Sequence, residues 1–148
     1  MPRIVREAGV AWTGNLARGA GAITAATSGA FAALPFSLPT RIGDADGRTS
    51  PEELLAAAHA GCYAMSLANE LSEADTPPER LEVRCRIVMD EVEGAGHRIV
   101  ASEIEVRGRV PATDAEAFAR AAKAADDGCP FSQLIRASAT VTVTAVLE

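Results

Sequence analysis

The stretch TSPEELLAAAHAGCYAMSLANELS, residues 49–72, is read first because it fixes the longest element of the chain. Ser50 stands where an N-cap accepts a backbone N–H, Pro51 suits the first helical position, and Glu53 completes a capping box. The helix is expected to run from there to about Ser72, with Thr76-Pro77-Pro78 ending it. From Leu54 to Leu67 it is apolar almost all round, the pattern of a helix buried inside a domain or between subunits. Within it lies Cys62, which is read either as a small packed hydrophobe or as a reactive thiol.

Downstream, Leu81, Val83, Cys85, Ile87 and Met89 alternate with Glu82, Arg84, Arg86, Val88 and Asp90, a period of two that predicts a half-buried strand. Glu93 to Gly96 makes a turn, and Ile99 to Val110 returns with Ile104, Val106 and Gly108 set against Glu103, Glu105 and Arg107. A second helix opens at Pro111-Ala112-Thr113-Asp114 and is expected to close on Gly128 as C-cap. Pro130 begins a short helical turn through Leu134, and Ala139 to Leu147 ends the chain as a strand. Upstream, Val10 to Thr13 reads as the clearest of several short strands, and the two prolines of Leu34 to Arg41 predict an extended connection. A polar loop carrying Asp44, Asp46 and Gly47 leads from there to the long helix. The expected class is α+β: a mainly antiparallel sheet packed on a long buried central helix, in one domain spanning residues 1–148.

Composition narrows the function. A net charge of −6, with both signs interspersed, leaves no basic stripe for a phosphate backbone, so nucleic acid is not an expected partner. The N-terminal residues lack a signal-peptide pattern and no run is apolar enough to span a membrane, so a cytoplasmic protein is expected. Cys62, Cys85 and Cys129 are too few and too scattered for a disulfide framework or a zinc site. No cofactor or metal is expected.

Local chemistry favours Cys129 over Cys62 as the more acidic thiol, because the turn opened by Pro130 presents unpaired backbone N–H groups beside it. Cys62, deep in its helix, would need a cation. One guanidinium at about 4 Å contributes on the order of 4 kcal/mol at an effective dielectric of 20. Arg41, just before the loop into the helix, is a candidate. His59 lies one helical turn before Cys62 and reads either as its base or, more simply, as a polar helix residue satisfied by a hydrogen bond. Glu52 is most simply a carboxylate complementing the helix dipole.

Taken together, Thr49-Ser50-Pro51-Glu52-Glu53 through His59-Ala60-Gly61-Cys62, followed by Gly128-Cys129-Pro130-Phe131-Ser132, resemble the OsmC/Ohr family of organic hydroperoxide reductases, in particular its OsmC branch. The resemblance implies an intertwined homodimer and a thiol-dependent peroxidase acting on organic hydroperoxides, recycled by an external dithiol. It implies Cys62 as the peroxidatic and Cys129 as the resolving cysteine, with Arg41 stabilising the thiolate and Glu52 orienting Arg41. That reverses the order that local chemistry suggests. Ten residues of straight helix separate Glu52 from Cys62 by about 15 Å, so Arg41 is expected to bend over the site or to reach it from the partner subunit. Two other readings remain: a cysteine hydrolase using Cys62 and His59, and a non-catalytic redox sensor or stress-associated binding protein.

Overall fold

The computed structural model describes residues 2–148. The chain divides into two compact units, Met1–Pro51 and Glu52–Glu148, each taken by itself below.

In the first unit, strands β1 (Gly9–Thr13), β2 (Ala20–Thr24) and β3 (Leu34–Phe36) form an antiparallel sheet in that order. Gly21 faces Trp12 on one neighbour and Phe36 on the other, and the two rings meet with centroids 5.5 Å apart across the space a side chain there would fill. Helix α1 (Leu38–Ile42) follows. The extended connection expected over Leu34 to Arg41 is therefore a strand and a helical turn. Both prolines fit because of where they fall. Pro35 lies on the edge strand, where a missing N–H is tolerated, and Pro39 lies in the first turn of α1, whose N-cap Ser37 accepts from the Thr40 N–H at 3.3 Å.

The second unit holds helix α2 (Pro51–Glu73), whose span matches the capping signals. Its buried residues are His59, Tyr63, Leu67 and Leu71, a single stripe at intervals of four. The all-round burial expected of this helix is not met within one chain: Ala57, Ala58 and Gly61 are exposed, and Met65 is 72% exposed. Strands β4 (Arg80–Val92) and β5 (Gly96–Arg109) make the long hairpin that the alternation predicts. Its register shifts between Val88 and Met89: Val88 pairs with Ala101 and Met89 with Ile99, leaving Val100 as an extra residue on β5. Below this bulge Ser102, Ile104, Val106 and Gly108 face the core.

Helix α3 (Ala115–Gly128) is capped by Asp114, which accepts from the Ala117 N–H at 2.7 Å. Phe118 of α3 packs over Gly108, where an added Cβ would lie only 2.5 Å from the ring. Gly128 is not the expected C-cap; it is the last helical residue. Cys129, extended at φ −72° and ψ 117°, both ends α3 and caps α4 (Pro130–Arg136). Pro130 is the reason, because its ring disfavours the α conformation in the residue before it. The α3–α4 crossover then returns the chain in its original direction, so β6 (Thr140–Leu147) pairs parallel to β5 in the order β4-β5-β6. Tyr63, Leu67, Leu71, Ile104, Val106, Phe118, Ala122, Ala125 and Cys129 form the core between this sheet and the helices.

Candidate functional site

Cys62 and Cys129 are 67 positions apart in the sequence and adjacent in the second unit. Cys129 is fully buried at the α3–α4 junction, and Cys62, half-buried on α2, packs against the same core. Cys129 lies near enough to Cys62 to influence its thiol, and all three cysteines of the chain are free. The backbone N–H of Phe131, in the first turn of α4, lies near enough to Cys62 to act on its thiol. An N–H of the α4 turn, expected to assist Cys129, thus also acts on Cys62.

Burial pushes the Cys62 thiol above its ordinary value, the hydrogen bond with Cys129 adds to that, and the Phe131 N–H opposes both. Within this unit the balance favours the protonated thiol.

His59 lies one turn before Cys62 and is completely buried. Its Nδ1 is 2.7 Å from Ser102 Oγ on β5, and its Nε2 is 2.8 Å from Ser132 Oγ on α4. Both ring nitrogens are therefore engaged. Burial lowers its pKa, against a smaller raising effect of Asp126 and with a lowering one from Arg136, so the ring is held neutral. A neutral imidazole bonded through both nitrogens is not a base poised on Cys62, which removes the geometric basis of the hydrolase reading. Cys85 lies on the inward face of β4 with Sγ 3.3 Å from Ser102 Oγ and 3.9 Å from His59 Nδ1. Burial raises its pKa and the Ser102 hydroxyl opposes that.

The remaining expected site residues divide between the units. Arg41 is exposed in α1 of the first, and Glu52 is half-buried in the first turn of α2. Each takes part in at least one polar or other specific interaction. Among the described residues no group of three or more His, Cys, Asp or Glu side chains is placed to hold a metal, and no helix is long and apolar enough to cross a membrane.

Sequence reasoning misses the roles of Ser102 and Ser132 as partners of His59, and it assigns the N–H groups of the Pro130 turn to Cys129 rather than to Cys62. Ser102 carries a usable signal: it is the one hydroxyl among the inward positions Ser102, Ile104, Val106 and Gly108, and a polar side chain on a core face needs a partner.

Comparison with known proteins places the chain in a family context. The family described as OsmC-like protein matches residues 43–144. The chain is 35% identical to peroxiredoxin OsmC of Escherichia coli over 130 residues, covering 88% of this chain and 89% of that protein. Among solved structures it resembles the organic hydroperoxide resistance protein OhrB of Bacillus subtilis, with a TM-score of 0.72 at 24% identity over 95% of this chain and 98% of that one. It likewise resembles an organic hydroperoxide resistance protein from Elizabethkingia anophelis, with a TM-score of 0.73 at 21% identity, covering 99% and 100% of the two chains.

Proposed function

Because the chain belongs to the OsmC family, we propose that it is a thiol-dependent peroxidase that reduces organic hydroperoxides to alcohols. The observation that carries this reading is the adjacency of the Cys62 and Cys129 thiols across 67 residues of sequence. Cys62 thiolate attacks the distal oxygen of ROOH; the O–O bond breaks, the alkoxide takes a proton to leave as ROH, and Cys62 becomes a sulfenic acid. The Cys129 sulfur then attacks the Cys62 sulfur, expelling the hydroxyl as water and forming a disulfide. An external dithiol restores both thiols by exchange and is itself oxidised to a disulfide.

Burial and Cys129 hold the Cys62 thiol up, so the reaction calls for a cation that favours the thiolate. Arg41 fills that role in this reading, with Glu52 orienting its guanidinium, whether within one chain or from the partner subunit. A homodimer is part of the proposal, supported by the uncovered apolar side of α2 around Met65. The protein works in a reducing cytoplasm, where the dithiol is supplied.

Stoichiometric cumene hydroperoxide followed by peptide mapping tests the reading. It should yield a Cys62–Cys129 disulfide with Cys85 free, and a dithiol should then sustain turnover; three thiols surviving the peroxide would overturn the proposal.

A further inference from the structure

His59 is not used by that reaction, yet it is a fully buried polar side chain whose two nitrogens are both bonded across the fold. Three residues after His59 on α2 comes Cys62, and three residues before Ser132 on α4 comes Cys129. The 2.8 Å bond between His59 Nε2 and Ser132 Oγ therefore joins the two segments that carry the two thiols, one turn away from each. The other end of the ring is fixed at 2.7 Å to Ser102, a completely buried residue of the central strand β5. Two further side-chain bonds from α4, Gln133 Nε2 to the Asp127 carbonyl at 2.8 Å and Arg136 to Asp126 at 2.6 Å, fasten it to α3, which does not carry Cys62.

We propose that His59 is a positioning residue which, through Ser132, holds the α4 turn against α2 so that Cys129 captures the Cys62 sulfenic acid quickly. This rests on the peroxidase reading and concerns its second step. There the two sulfurs must close to an S–S bond of about 2.0 Å, while the S–O bond of Cys62 breaks and its hydroxyl leaves as water. The Cys129 backbone has no regular helix around it at this point, since the residue is the hinge between α3 and α4. The Ser132 bond just after that hinge, together with the two bonds from α4 back to α3, limits where its thiol can go. A neutral ring fits this position because, with one nitrogen donating and the other accepting, it bonds both serines, whose hydroxyls take whichever part remains.

Four variants of the full chain are compared with the wild type: His59→Leu, Ser132→Ala, their combination, and His59→Gln, whose amide reaches as far as Nε2. Each is mixed with one equivalent of cumene hydroperoxide, and the lifetime of the Cys62 sulfenic acid is read by timed dimedone trapping and mass spectrometry. His59→Leu and Ser132→Ala should each lengthen that lifetime about tenfold or more, misplacement of a reacting group by an ångström being enough for such a loss. The combination should be no worse than the worse single variant, as expected for two ends of one bond, and His59→Gln should recover most of the wild-type rate. A merely structural histidine would instead lower the thermal midpoint while leaving the lifetime unchanged, which would overturn the inference. Should His59→Leu fail to fold, the small Ser132→Ala change decides alone. A wild type that forms no Cys62 sulfenic acid at all defeats the peroxidase reading itself, an outcome distinct from normal capture in the variants.

Discussion

At the scale of single residues the proposed reaction depends on which of three thiols is oxidised. Cys62→Ser should abolish peroxide turnover, because the proposed reaction begins at that sulfur, whereas Cys85→Ala should retain it, since Cys85 bonds Ser102 and contacts His59 and has no part in the proposed thiol pair. Peroxide consumption assays on the two variants check both outcomes. His59 makes a separate prediction about pH. Its folded pKa lies below the ordinary 6.5 because it is buried, so on acidification the unfolded chain takes up a proton before the folded one does. The stability that His59 contributes is therefore complete above about pH 6.5 and declines below it, by at most about 1.4 kcal/mol per pH unit, until the folded ring also titrates. Urea denaturation between pH 7 and 5 should show a steeper loss for the wild type than for His59→Gln.

The elements around the site each depend on one or two close contacts. Gly108 lets β5 run directly beneath Phe118, so Gly108→Ala forces a methyl into the buried ring and should cost about 1–3 kcal/mol in thermal or chemical denaturation. Arg136 bonds Asp126, whose other carboxylate oxygen is buried with no hydrogen-bond partner. Arg136→Ala leaves that carboxylate uncompensated at the end of α3 and should cost about 1–3 kcal/mol, toward the lower figure because the pair is partly exposed. Much at this scale is legible in the sequence. The β4–β5 hairpin can be read because alternation of charged and apolar residues is a local pattern, and α2 because its cap, proline and glutamate are neighbours. The Cys129 hinge is harder, since Gly128 offers a familiar stop while Pro130, two residues on, is what controls the backbone. The serines that hold His59 stand 43 and 73 residues away from it, and no local pattern announces a partner at that distance. Cys62 and Cys129 are linked in the sequence by family motif rather than by any periodicity.

For the whole molecule the α2 pattern bears on the proposed assembly. One stripe of the helix is spent on its own core, while Ala57, Ala58, Gly61 and Met65, the last 72% exposed, stay uncovered, as does Leu134 of α4 at 68%. If the proposed homodimer covers these residues, Met65→Asp should convert it to a monomer and lower peroxide turnover together, which light scattering coupled to size exclusion and a peroxide assay would measure. A Met65→Asp protein that remains dimeric would place the contact elsewhere. The sheet of the second unit carries its charges in complementary pairs, Arg84 opposite Glu105 and Arg86 opposite Glu103, on its outward face.

The extra residue Val100 has a practical consequence for that sheet. It separates a stem whose inward side chains belong to the core from a tip, residues 90–98, that is exposed throughout. The tip turns through Gly94 and Gly96, both at left-handed φ near 70°. Length added there is taken up in solvent, since the register below the bulge is already fixed by the core side chains. The tip is thus a natural port for cargo: a short epitope or fluorophore-binding peptide spliced between Gly94 and Ala95 should report on the protein in living cells while the proposed thiol chemistry proceeds undisturbed.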